Sequence, residues 1–145
     1  MADTIDYTVG TSVHELIEGY QGYLQNTLDF TVTNATTVAV CQALKVESGM
    51  WVDNVKLRVV TGQGATLTCE VGDGTDPNGW DASSDLETAG ATSQGTDATD
   101  AYVHGGKYYA ADDTIDLTML TAATLVDTAV VEIKANYTRH EQNNQ

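Results

Sequence analysis

The sequence predicts an all-β protein, an antiparallel β-sandwich or jelly roll with an N-terminal arm. Three observations carry this reading. Short segments alternate apolar and polar residues with period two, as strands with one buried face do. Clusters of Gly, Asp, Asn, Ser and Thr separate them at short intervals, and these are the residues that make turns. No strand–helix–strand unit appears, which excludes the doubly wound folds and their phosphate loops. The 145 residues suffice for one domain with a hydrophobic core.

Taken in order, residues 1–24 form the arm, extended or with a short helical turn. Ser12-Val-His-Glu15 has the capping-box pattern ahead of Leu16 and Ile17, which places that turn around residues 12–18. Gly19 and Gly22 interrupt it, while Tyr7, Tyr20 and Tyr23 give the arm aromatic surface. Such a segment either packs on another subunit or folds over its own domain. Residues 25–140 are the sandwich, and 141–145 are a polar tail.

The first expected strand covers residues 28–33 and the next 38–46, with Val38, Val40, Leu44 and Val46 on one face. Residues 51–61 set Val55, Leu57 and Val59 against Lys56, Arg58 and Val60. Gly62-Gln-Gly64 then reads as a hairpin turn into a strand over 67–71, where Leu67, Cys69 and Val71 alternate with Thr68 and Glu70. Residues 72–100 read as a long loop with a short helical turn over 83–87. Strands resume at 100–104, at 107–110 after the Gly105-Gly106 turn, and at 114–119, where Asp116 alternates toward solvent. The last strand, 126–137, buries Val131, Ile133, Ala135 and Tyr137.

Charge bounds the partners. Six basic residues against 21 acidic ones give a formal net charge of −15. Lys45, Lys56, Arg58, Lys107, Lys134 and Arg139 are scattered along the chain, so no basic footprint for nucleic acid or an anionic membrane is expected. No apolar run reaches the length of a bilayer span. The N-terminus lacks the basic and apolar regions of a secretory signal, so synthesis in the cytoplasm is expected. In that compartment Cys41 and Cys69 read as reduced core residues, with a cross-strand disulfide as the minority alternative.

No constellation specifies catalysis, a cofactor or a metal. Asp73, Asp76, Asn78 and Asp81 fail the calcium-loop spacing because Thr75 and Pro77 take the ligand positions. Asp112, Asp113 and Asp116 are close in sequence, but turn and strand roles explain them without a glycosidase pair. His14, His104 and His140 are far apart, and no Gly-x-Ser-x-Gly elbow exists. Trp51 opens a strand. Trp80 lies in the polar loop, as a loop anchor or subunit contact ahead of a sugar-stacking residue.

The segment Val71-Gly-Asp-Gly-Thr-Asp-Pro-Asn-Gly-Trp80, the loop after it, and Gly106-Lys-Tyr-Tyr-Ala-Ala-Asp-Asp-Thr-Ile-Asp-Leu-Thr118 resemble small β-sandwich virion proteins of tailed bacteriophages, of the head decoration (cement) type. The resemblance spans about residues 29–137 and rests on strand and turn patterns; the first 22 residues lie outside it. It implies a non-enzymatic protein, made in the host cytoplasm, that binds the outer head surface and stabilises contacts between major capsid subunits. The implied partners are the major capsid protein and further copies of itself, most naturally as a trimer. Tyr7, Tyr20, Tyr23 and Trp80 are the candidate interaction residues. The alternative is a carbohydrate- or receptor-binding virion module in a head fibre or tail component.

Overall fold

In the computed structural model, which describes residues 4–17, 21–36, 38–95, 100–122 and 125–139, two sheets stack face to face. The strands in chain order are β1 (Thr4–Asp6), β2 (Ser12–Ile17), β3 (Gln21–Asp29), β4 (Val40–Val46), β5 (Met50–Thr61), β6 (Leu67–Gly72), β7 (Asp81–Asp85), β8 (Thr92–Ser93), β9 (Lys107–Tyr109), β10 (Asp113–Ala122) and β11 (Val130–Arg139). One sheet runs β1-β4-β10-β6-β7 and the other β2-β3-β11-β5-β8, with β9 also on β5. Every strand pairing is antiparallel except β1 with β4. The expected antiparallel sandwich is therefore the observed fold. No helix is long and apolar enough to cross a membrane among the described residues.

The core follows from strand alternation. Val55, Leu57 and Val59 on β5, Leu67, Cys69 and Val71 on β6, Ile115, Leu117 and Met119 on β10, and Val131, Ile133, Ala135 and Tyr137 on β11 are all buried. Each fully buried large aliphatic or aromatic side chain contributes about 1.5–3 kcal/mol through removal of apolar surface from water. Cys41 and Cys69 are buried and unbridged. Burial, with the Asp116 carboxylate nearby, pushes the Cys41 thiol up to about 12, so it stays protonated and inert.

Several local expectations differ from the structure for identifiable reasons. Both conformations expected for the first 24 residues occur, but not where expected: a short 3-10 turn lies at Thr8–Gly10, and the described residues of the segment expected to turn helically around 12–18 form β2, laddered onto β3. A helix of that length is marginal in water, whereas β3 offers a complete set of ladder partners. The strand expected over 28–33 runs earlier, over Gln21–Asp29. Asp29 ends it, because its carboxylate accepts the Thr31 N–H at 3.0 Å and its carbonyl accepts those of Val32 and Thr33, a local turn that displaces the ladder. On β4, Val38 and Val40 are not the buried face; Cys41, Ala43, Leu44 and Val46 are. The ladder with β10 pairs Ile115 with Leu44 but Asp116 with Gln42, so Ala43 is the extra residue of a bulge that reverses the alternation.

The turn at residues 62–64 does not close a hairpin, since β5 and β6 lie in different sheets. The crossing is tied down by Gln63, whose side-chain carbonyl accepts the N–H groups of Thr128 and Ala129 at 3.1 Å and whose amide donates to Asp127 at 3.1 Å. Residues 83–87 are not helical; β7 adds an edge strand to β6 there. Residues 100–104 form turns rather than a strand, held by N–H donation from Val103 to Asp100 and from Gly106 to Tyr102.

Candidate functional site

The loop between β6 and β7 is built around one carboxylate. Asp73 follows Gly72, and its Oδ1 accepts the N–H groups of Thr75 and Asp76 at 2.9 Å each, folding the Gly/Asp/Pro/Asn segment into a tight turn. Gly72 is obligatory here, because a Cβ at that position would collide with the backbone of Asp76 and Pro77. The chain then returns through Gly79, which lies against the Tyr102 ring, and Trp80 donates its N–H to the Val71 carbonyl at 2.9 Å.

The other carboxylate oxygen meets β9. Lys107 Nζ donates to Asp73 Oδ2 at 2.6 Å and Tyr109 donates its hydroxyl to the same atom at 3.0 Å. Lys107 also donates to the Tyr102 hydroxyl at 3.0 Å and lies over both tyrosine rings, 4.6 Å and 4.9 Å from their centroids. The Asp73 side chain is fully buried and Lys107 is partly buried. Burial alone would raise the Asp73 carboxyl, but the Lys107 ammonium, the Asp76 N–H, the Tyr109 hydroxyl and the Thr75 N–H outweigh it and hold the value below the ordinary range. Burial likewise works against the Lys107 ammonium, and its bonds to Asp73 and Tyr102 more than restore it. Both groups are charged and mutually satisfied, so the cluster is an anchor rather than an acid–base pair. No group of three or more His, Cys, Asp or Glu side chains is placed to hold a metal among the described residues.

The residues expected to make contacts fall in different places. Trp80 is 2 % exposed, edge-on to Tyr102 with ring centroids 5.3 Å apart, and so takes the loop-anchoring position within this chain. Tyr7 is half-buried, edge-on to Phe30, with its hydroxyl donating to the Thr33 carbonyl at 2.6 Å. Tyr23 is half-buried on the outer face of its sheet, stacked on His14 with centroids 4.5 Å apart and capped by Lys134 Nζ at 4.1 Å. Tyr20 lies outside the described residues. The structure thus does not gather Tyr7, Tyr23 and Trp80, the three described residues, into one patch. Asp116, expected to face solvent, is 7 % exposed and bonded by the Thr114 hydroxyl at 2.7 Å.

The structure gathers something else. Cross-strand register aligns Gln25, Lys134 and Lys56 in one row on the outer face of the second sheet, and Thr27, Glu132 and Arg58 in the next. The sequence shows the three cations only as scattered residues; the pairing of β5 with β11 brings Lys134 beside Lys56 and Arg58, which lie more than seventy positions earlier. Arg58 donates to both Glu132 carboxylate oxygens through its Nε and Nη2 edge, at 2.8–3.1 Å.

No protein-family model matches the chain, and no curated protein matches its sequence. Its fold is shared with chains of three phage capsid structures. A chain in the capsid of Ralstonia phage GP4 superposes with a TM-score of 0.63 at 15% identity, over 96% of this chain and 99% of that one. A chain in the acid-stable capsid of Helicobacter pylori bacteriophage KHP30 gives 0.58 at 13% identity, over 84% and 90%. One in the capsid asymmetric unit of cyanophage Pam1 gives 0.53 at 17% identity, over 92% and 89%. The class these observations define is a two-sheet β-sandwich of the kind found in those capsids.

Proposed function

We propose that this chain is a non-enzymatic structural protein of a bacteriophage virion, and within that class a capsid decoration (cement) protein. On this reading it sits on the outer head surface, bridges major capsid subunits and associates with further copies of itself, with a trimer suited to a three-fold site. The carrying observation is the shared fold with the GP4 capsid chain over 96% of this chain and 99% of that one. Near-complete coverage on both sides means that the whole unit, rather than a common half-sandwich, is matched. The resemblance over residues 29–137, which rests on strand and turn patterns, points the same way. The polar anchor at Asp73 adds to it, since its charged groups are spent on holding a loop.

The test is localisation and add-back. Phage heads assembled without this protein, mixed with the purified chain and imaged by cryo-electron microscopy, are expected to show ordered density at fixed positions on the outer shell. They should also withstand heat or osmotic shock better than bare heads. Density confined to the tail or a fibre would replace the decoration role with another virion role, and absence of binding to any part of the particle would remove the virion reading.

A further inference from the structure

Lys56 and Lys134 are direct cross-strand partners on an exposed sheet face. Like charges in that relation oppose each other and destabilise the sheet. The chain has only six basic residues against 21 acidic ones, so a carboxylate opposite either lysine would have been the easy arrangement. Instead neither lysine has an ion-pair partner among the described residues, while Arg58, Lys107 and Arg139 each have one. Half of the chain's basic residues line a single groove of about 390 Å³ together with Gln25, Thr92 and Gln94. That volume is within the roughly 300–1,000 Å³ of small-molecule sites.

We propose that this groove is a binding site for a carboxylate-bearing sugar, with Lys56 and Lys134 holding the carboxylate. The lining matches that ligand class. Two ammonium groups supply the counter-charge, while the amides of Gln25 and Gln94 and the Thr92 hydroxyl can each donate to and accept from sugar hydroxyls. An acidic peptide fits less well. Around the lysines β3, β11 and β5 are hydrogen-bonded to one another, and the sheet edge that borders the groove is the two-residue β8, too short a ladder for a peptide backbone to join over several residues. A phosphate group is usually met by a free guanidinium fork or a helix N-terminus. The Nε/Nη2 edge of Arg58 is already taken by Glu132, whose carboxylate would repel a phosphate there, and no helix borders the groove. The site is independent of the decoration reading: it depends on side chains that face away from the core, not on where the protein sits.

The experiment is titration calorimetry on the purified full chain with oligogalacturonate, at about 0.1 M salt, where the Debye length of about 10 Å screens the overall negative charge but not contacts within the groove. Saturable binding is expected, with at least a tenfold loss in the Lys56→Gln/Lys134→Gln double variant and no loss in Lys45→Gln, an exposed lysine outside the groove. The double variant should remain folded, which its melting curve checks, because it removes a repulsive pair together with the contact of Lys134 on the Tyr23 ring. Neutral dextran oligomers should not bind. Poly-L-glutamate or inorganic phosphate binding as tightly as the uronate would overturn the sugar assignment. So would unchanged uronate binding in the double variant, or no uronate binding to the parent.

Discussion

Asn26 donates both of its amide hydrogens inside the sandwich, to the Ala43 carbonyl at 2.7 Å and the Tyr7 carbonyl at 2.8 Å. The first bond crosses from one sheet to the other and ends on the bulged residue of β4, which has no partner in the register with β10. The second fixes the segment joining β1 to β2. A buried polar side chain is tolerated in a core only when its groups are paired, and this one is 5 % exposed with both donors used. Asn26→Leu should therefore destabilise the protein by about 1–3 kcal/mol, since it takes a donor from the Ala43 carbonyl inside the core and leaves the Tyr7 carbonyl with only the Gly10 N–H. Urea denaturation measures the loss, and hydrogen exchange should show earlier opening around residues 5–11. An unchanged midpoint would rule out the bridging role.

The ion pair at Asp73 predicts an asymmetry between its partners. Lys107→Met leaves a fully buried carboxylate with only neutral donors and should cost about 3–5 kcal/mol, as breaking a buried pair from one side does. The double substitution Asp73→Asn/Lys107→Met should be less damaging than the sum of the singles. Thermal melts of the four proteins form the cycle, and simple additivity would show that the two groups do not act as a pair.

Asp116 predicts a pH dependence of opposite sign to that of Asp73. Burial raises its carboxyl from an ordinary 3.8 to about 6, with the Thr114 hydroxyl bond opposing and the Asp113 and Asp73 carboxylates adding to the rise. Between about pH 4 and 6 the folded state binds more protons than the unfolded one, so this group's contribution falls as pH rises through that window. The Asp73 carboxyl is held low, so its contribution is present above its unfolded value and is lost only as pH falls below it. Asp116→Asn should thus be more stable than the parent at pH 7–8 and converge with it near pH 4. Parallel stability curves across the range would contradict the burial-driven shift.

Trp80 predicts a separation of folding from contact. Its ring fills the core beneath the loop, so Trp80→Ala should cost about 3–5 kcal/mol. Trp80→Phe should keep most of the stability. If the loop acts through its shape rather than through the indole, the folded Phe variant will bind capsids as the parent does, which a cosedimentation assay reads directly.

Alternation in the sequence was sufficient where a strand kept its parity against one core face, as for β6 and β11; on β10 it found Ile115, Leu117 and Met119 but not the burial of Asp116. It misled at Ala43, because a bulge reverses parity through a ladder irregularity that no residue type announces. It missed β7, whose Asp-Ala-Ser-Ser-Asp residues bury only Ser84 and carry no apolar signal. The glycines at 62 and 64 gave a correct turn but not its destination, since a hairpin and a crossing between sheets use the same residues. The Asp73 anchor could have been suspected from an Asp beside Gly72 with Lys107 and Tyr109 later in the chain, yet only tertiary pairing separates it from a plain turn. The Lys56–Lys134 pair was illegible for the same reason, as register across β5 and β11 is a property of the fold.

The division of β1 and β2 between the two sheets has a mechanical consequence. A pull on the beginning of the chain loads β1 against β4 in one layer and β2 against β3 in the other. In the parallel β1–β4 ladder, strain along the strand falls on its hydrogen bonds together rather than one at a time. The same segment is tied inward by Asn26 and by the Tyr7 hydroxyl. Tension entering there is distributed across the width of the sandwich, so the two layers resist stretching as one laminate.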